Sequence, residues 1–491
     1  MSFNPNLTYF VERLQGVSTN TFRLESQNRT TALQNDIISF SLPSNAILNL
    51  RSFKVWCNAN CNAGSPTAGA RLPPISDLVE RIEVSVGGII LSQGTNFSNV
   101  LQEAMKALSY EDCDSVTGHP EYVREISYVN GEGDNLVGGP LDATANESYA
   151  DNGNLQLFCI DKFPGFLATA DPKLLDTSIL PDITVRLYMA TNNLLTTSQD
   201  VGVGDAAAIA GPPPIKQGFA AVGGTGNGGY ELTNISATIE AIGMADMTYD
   251  QMISAQMAQQ GFLEIPYKAY TTFQESHTGA SRFTVSTQSL DRVWVAWRVT
   301  APNTQVAPVI VNGYKKQGAF IQGAYQTNAA AASGAAAGTS LDLGLPQYDL
   351  GGVFTTNSEK YKSAYFNFVQ PPVTPNTNMK MQLQLNGAYM PQFSANLGQL
   401  YGMTRNSLMG AREAKNMSFD QYVNNYCVQC FRLNLPDAEY SRSICGLDTR
   451  AVNLQGVVKT DNVINLPTIN IFTEQTETLR VGPGRSIEVI S

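Results

Sequence analysis

The chain has 491 residues, room for two domains of about 200–250 residues each, a size that all-β sandwiches reach. Its 43% hydrophobic content is enough for two cores, while 15% charged residues is low against the roughly 25% usual in soluble domains. A net charge of −11 repels phosphate and argues against direct nucleic-acid binding, and no run of about 18 apolar residues offers a membrane-spanning helix.

The first residues, Met1 to Asn6, show neither a basic nor an apolar leader region, so no secretion signal is expected and synthesis in the cytosol is. Residues 1–35 are polar, rich in Asn and Thr and weakly patterned, which suggests an N-terminal arm. Strand-like runs follow at Ile37–Leu42, Leu48–Trp56, Leu155–Ile160, Leu180–Met189 and Tyr230–Ile242, separated by turn signals. Such spacing marks a sandwich, barrel or jelly roll, and 36–245 is read as a first all-β domain. Residues 246–262 read as a short interdomain helix or linker, with Gly261 as its stop. A second all-β domain, 263–491, opens on strands rich in β-branched and aromatic residues between Arg282 and Trp297. Two segments of small residues, 198–229 and 312–344, cannot fill a core and read as long surface loops.

One short pattern occurs twice. Ile82–Gln93 aligns without a gap on Met381–Gln392: strict alternation, a Gly-Gly or Asn-Gly turn, a short second arm and a Gln. Alternation into such a turn signals a β-hairpin, since its central residues need positive φ. Each copy runs into a segment of helical character, 97–108 and 395–408, so the chain reads as two related all-β domains. A weaker echo sets Leu50–Trp56 beside Leu290–Trp297.

The search for chemistry yields no site. Seven cysteines at irregular spacing do not make a disulfide framework, and Cys427 and Cys430 lie in a strand-like run with no second pair at zinc-ribbon spacing. They read as buried free thiols, as do Cys57 and Cys61. The only two histidines, His119 and His277, rule out a three-His zinc site and read as structural. Gly224–Gly229 matches G-x-G-x-x-G, but a strand-like run follows it where a dinucleotide site needs a helix. The acidic turns at Asp151 and Glu132 lack a full calcium ladder. No catalytic, cofactor-binding or metal residue is therefore named, no cofactor is expected, and the chain is not read as an enzyme. Six Asn-x-Ser/Thr matches are what so Asn- and Thr-rich a composition gives by accident.

The order of features resembles the double jelly-roll major capsid proteins of tailless icosahedral DNA viruses, of the polinton-like virus, virophage and tailless phage type. The resemblance spans most of 36–491 and rests on Leu78–Gly88, Lys162–Leu167, Leu180–Ile183, the helix ending at Gly261, Gln384–Gln392, Ser443–Arg450 and Thr478–Ile490. It implies two consecutive eight-stranded jelly rolls with short flanking helices. It also implies homotrimers that form pseudo-hexameric capsomers and tile an icosahedral virion shell. Implied partners are neighbouring trimers, penton and minor capsid proteins and, in some relatives, an internal membrane on the inner face. By the same analogy 198–229 and 312–344 decorate the exterior and 1–35 ties the shell together. The alternative classes are a non-capsid virion or adhesive carbohydrate-binding β-protein, and a β-sandwich hydrolase acting through paired acids.

Overall fold

The computed structural model describes residues 17–62, 69–71, 75–91, 96–108, 157–198 apart from 162 and 195, 215–217, 229–244, 247–298, 377–408, 427–434, 445–450, 454–464 and 467–491, with a few isolated positions between 368 and 423. In chain order the first half gives β1 (Val17–Glu25), β2 (Ile37–Ser41), β3 (Ile47–Asn62), β4 (Gly69–Arg71), β5 (Val79–Val86), β6 (Ile89–Leu91), α1 (Ser98–Leu108), β7 (Leu157–Ile160), α2 (Phe166–Thr169), β8 (Leu174–Asp176), β9 (Ile183–Met189), β10 (Thr196–Ser198), β11 (Ile215–Gln217) and β12 (Gly229–Met244). Helix α3 (Met247–Gln260) follows. The second half gives β13 (Leu263–Ser276), β14 (Ala280–Val285), β15 (Leu290–Arg298), β16 (Lys380–Leu385), β17 (Ala388–Asn396), α4 (Leu397–Leu408), β18 (Val428–Arg432), β19 (Leu454–Asp461), β20 (Thr468–Gly482) and β21 (Ser486–Ile490).

Each half is a sandwich of two antiparallel sheets. In the first, β1-β12-β3-β7 faces β2-β9-β5-β6; in the second, β13-β20-β15-β18 faces β14-β19-β16-β17. Counting only these eight strands in each half, both follow one path, 1-8-3-6 against 2-7-4-5. That path is a jelly roll, traced twice. Alternation makes it close. In β9 the side chains of Ile183, Val185, Leu187 and Met189 point into the core, while Arg186 between them is exposed.

The repeated pattern is the fourth and fifth strand of each jelly roll, in one register. Val84 pairs with Leu91 and Ser85 with Ile90, as Leu383 pairs with Met390 and Gln384 with Tyr389. Both turns carry two positive φ angles, 55° and 87° at Gly87 and Gly88, 47° and 89° at Asn386 and Gly387. That is the twist a two-residue hairpin demands, and it explains why Gly or Asn stands there. The helices expected after each hairpin are α1 and α4. Asn396 caps α4 reciprocally: its side chain accepts from the Gln399 N–H at 3.0 Å, and the Gln399 side chain accepts from the Asn396 N–H at 2.9 Å. Helix α3 stops at Gly261, whose φ is 78° and whose N–H donates to the Met257 carbonyl at 2.9 Å.

The expected arm 1–35 needs correction. Residues 17–25 are β1, paired with β12 from Val17–Met244 to Glu25–Ser236, and Ala32, fully buried, bridges to Leu232. Main-chain pairing holds a strand whose side chains stay largely in water, so its apolar pattern is faint. The loop 312–344 and residues 1–16 lie outside the described residues. Of 198–229, the described interior part is β11, which joins β10 and β4 in a small three-stranded sheet.

Candidate assembly surfaces

The residues singled out for chemistry are held in structural roles where they can be seen. His277 lies between β13 and β14 with 1% of its surface exposed, its Nδ1 2.6 Å from Ser281 Oγ and its Nε2 2.5 Å from Thr460 Oγ1. Burial lowers its pKa to about 4, against a smaller opposing pull from the Glu275 charge, so the ring is neutral at physiological pH. A neutral imidazole between two hydroxyls, edge-on to Trp297, is a satisfied core residue. Burial pushes the thiols of Cys57, Cys427 and Cys430 up to about 12. A thiol held protonated is neither a nucleophile nor a ligand. His119, Asp151, Glu132 and residues 224–228 lie outside the described residues, as does the side chain of Cys61. Among the described residues no group of three or more His, Cys, Asp or Glu is placed to hold a metal ion.

The two jelly rolls meet along a seam. The ring of Phe166 in α2 stands edge-on to Tyr267 of β13 at 5.3 Å. The Asp171 N–H donates to the Pro266 carbonyl at 3.0 Å, the Lys268 N–H to Thr169 Oγ1 at 2.9 Å, and the Thr272 hydroxyl to the Asn96 carbonyl at 2.6 Å. Higher on the seam, Ile89 and Ile90 of the first hairpin face Tyr270, Thr271, Thr284 and Val285 across a cleft of about 360 Å³. Strand β6, the edge of its sheet, thus faces the first two strands of the second jelly roll.

A buried polar cluster stands beside this seam in the second jelly roll. Lys268 Nζ reaches Asp291 Oδ2 at 2.7 Å and Thr476 Oγ1 at 2.8 Å, while the Thr476 and Ser289 hydroxyls donate to the two Asp291 oxygens at 2.6 and 2.8 Å. Nearby, Glu474 accepts from Arg292 Nη1 and Trp294 Nε1, each at 3.1 Å, and its charge holds the Arg292 guanidinium well above its usual pKa. The Tyr267 hydroxyl donates to Glu477 at 2.6 Å, and burial raises that carboxyl above the usual range. The charged members of these pairs are nearly buried, with Glu477 on the wall of the cleft, and they lock strands together.

Two outer edges are apolar instead. Strand β17 ends its sheet and presents Tyr389, Met390 and Phe393, exposed by 40, 39 and 52%. In the first jelly roll, β1 and β2 end theirs, with Phe22, Ile37 and the intervening Leu33 exposed by 42, 36 and 52%. The sequence patterns placed Ile37, Tyr389 and Met390 in strands without marking them as exposed. The signal available was Tyr389-Met390-Pro391, apolar on both faces with a proline, which fits an outer strand better than a core one.

No protein-family model matches the chain, and no curated protein matches it in sequence. Solved structures do match in shape. The PBCV-1 VP54 crystal structure, fitted into a reconstruction of the virophage Sputnik, superposes with a TM-score of 0.56 at 12% identity, covering 99% of each chain. The fold is that of the double jelly-roll capsid proteins. The PBCV-1 capsid in its quasi-atomic model gives 0.52 at 12% identity, again over 99% of each chain. The Faustovirus major capsid protein gives 0.50 at 10% identity, covering 98% of this chain and 93% of its own. At such identities the double jelly-roll likeness is one of fold, carried by strand path and core pattern.

Proposed function

We propose that this chain is the major capsid protein of a tailless icosahedral virus, a structural protein whose trimers form pseudo-hexameric capsomers and tile the virion shell. One observation carries this reading: the same eight-strand path is traced twice in one chain. Three such chains place six similar barrels in a ring, which gives a six-sided tile with threefold symmetry, and closed symmetric self-association is the usual route to large assemblies. The fold shared with capsid proteins over nearly the whole chain supports it. So do polar residues committed to internal pairs and apolar side chains left on outer edges.

Within the virion, neighbouring trimers are the main partners, with penton and minor capsid proteins at special positions; the inner surface would face an internal membrane in a virus that has one. The acidic chain fits a shell that does not hold nucleic acid directly. Residues 198–229 and 312–344 would then project outward, and the tethering role would rest with the segment before Val17, because Val17–Glu25 is committed to the sheet. The test is the mass of purified protein at several concentrations, with negative-stain images of the same sample. A stable species of three 53.0 kDa chains, hexagonal in outline, is expected. A monomer that binds glycans would turn the reading to an adhesive protein.

A further inference from the structure

Within one chain, the closing edge of the first jelly roll is covered by the opening edge of the second. Among the described residues, the matching closing edge of the second jelly roll has no such cover, and neither has the matching opening edge of the first. The registers make the match explicit. Tyr389 occupies the place of Ile90, since Gln384–Tyr389 and Ser85–Ile90 are the same pair in the two hairpins. Ile90 is half-buried against β13 and β14, whereas Tyr389 is 40% exposed. On the other edge, the sequence echo sets Val55 on Val295. The ladders then carry Ala237 onto Ile471 and Leu24 onto Phe273, and so Phe22 onto Thr271. Thr271 lines the cleft that receives Ile89 and Ile90. Phe22 therefore stands where the second jelly roll receives its neighbour.

We propose that the strand β17 edge of the second jelly roll, centred on Tyr389, Met390 and Phe393, docks on the β1–β2 edge of a second copy of this chain, around Phe22, Leu33 and Ile37. This inference rests on the capsomer reading and deepens it by assigning the seam. The contact repeats between chains the junction already made within one chain, so it is head-to-tail. A head-to-tail contact joins two different patches and closes into a ring when its rotation allows. Of the ten large apolar side chains exposed among the described residues, six lie on these two edges. Aromatic and methionine side chains at such a density are typical of the dry centre of an interface, where truncation costs most. Each edge also ends its sheet, so among the described residues its main chain meets no further strand of its own barrel. Pro391 in β17 limits open-ended strand addition and favours side-chain packing as the glue.

The test compares the solution mass of the full chain with that of Phe393→Asp, Phe22→Asp and Ile464→Asp. Ile464 is 37% exposed and lies on neither edge, which makes it the control. Circular dichroism and melting confirm that each variant is folded; if Phe22→Asp does not fold, Leu33→Asp on the same edge replaces it. The wild type and the control should run as trimers, and each edge variant as a monomer at the same concentration. An equimolar mixture of the two edge variants should form dimers, because each supplies the edge that the other lacks. Edge variants that remain trimers beside a trimeric wild type would place the seam elsewhere and leave the capsomer reading intact. A wild type that is monomeric at every concentration would remove that reading and this seam together.

Discussion

The two jelly rolls share a strand path and differ in what covers their larger sheets. In the first, β12 leaves Glu231 and Asn234 exposed and Thr238 and Glu240 half-buried between its core residues. In the second, β20 is buried at every position from Ile469 to Leu479, on both faces, although Thr473–Thr478 consists entirely of Thr, Glu and Gln. The inward alternation common to both halves sets the path. The outward face is free to vary, and here one half leaves polar side chains to water while the other pairs them in a buried cluster. Topology therefore follows from one face of each strand, and contacts from the other.

The largest expected effect breaks the first half at its edge. Removing residues 1–30 takes away β1 and exposes the full edge of β12, so the first jelly roll should lose its cooperative melting transition. Removing 1–16 should shift melting by no more than about 3 °C, the scale of a change under 1 kcal/mol in a domain of this size. Calorimetry on both truncations distinguishes a strand from an arm; equal melting of the two would return β1 to the arm. Next comes the polar cluster that only the second half contains. Lys268→Met leaves the Asp291 carboxylate buried with two hydroxyls and no cation, a loss of about 3–5 kcal/mol in urea unfolding. Adding Asp291→Leu should recover much of it, because removing both charges also removes their desolvation cost. A Lys268→Met protein as stable as wild type would show that the cluster is solvated.

The sequence made some of this plain and hid the rest for physical reasons. The hairpins were legible because Gly87-Gly88 and Asn386-Gly387 must accept positive φ between strictly alternating arms. The weak parallel between Leu50–Trp56 and Leu290–Trp297 marked the same strand, third in each path, because that strand runs through the middle of its sheet. Strand β1 was missed since its one ladder neighbour is β12 and its side chains are largely exposed, which leaves little apolar period. Most of β20 was missed for the opposite reason: Thr473–Thr478 is fully buried yet polar, and its partners, Lys268, Asp291, Arg292 and Tyr267, are 180 or more residues away in the chain. Periodicity reads one strand at a time, whereas a buried ion pair is a property of three. The outer edges escaped for a related reason, since exposed apolar residues look like core residues until the fold shows which side of the sheet they occupy.

The smallest expected effect sharpens the comparison at the paired turns. A Cβ at Gly87 would sit 2.7 Å from Pro181 Cγ and 3.3 Å from Ile487 Cδ1, so the first turn is pressed between its own barrel and the second. Asn386, at the same place in the second hairpin, already carries a side chain, and nothing lies within 4 Å of a Cβ at the neighbouring Gly387. Exchanging the two residues therefore should not be symmetric. Gly87→Asn keeps a residue that tolerates positive φ but overfills the contact, a loss of about 1–3 kcal/mol. Asn386→Gly removes a side chain from an open turn and should change stability by less than about 1 kcal/mol. Both values are measured on the monomer, by urea unfolding at low protein concentration. Repeating the measurement on assembled protein then asks whether the second turn becomes as crowded as the first once another copy covers it. If β17 meets the β1–β2 edge as the first hairpin meets β13 and β14, bulky substitutions at Asn386 should be tolerated in the free chain and penalised in the assembly, whereas at Gly87 they should be penalised in both.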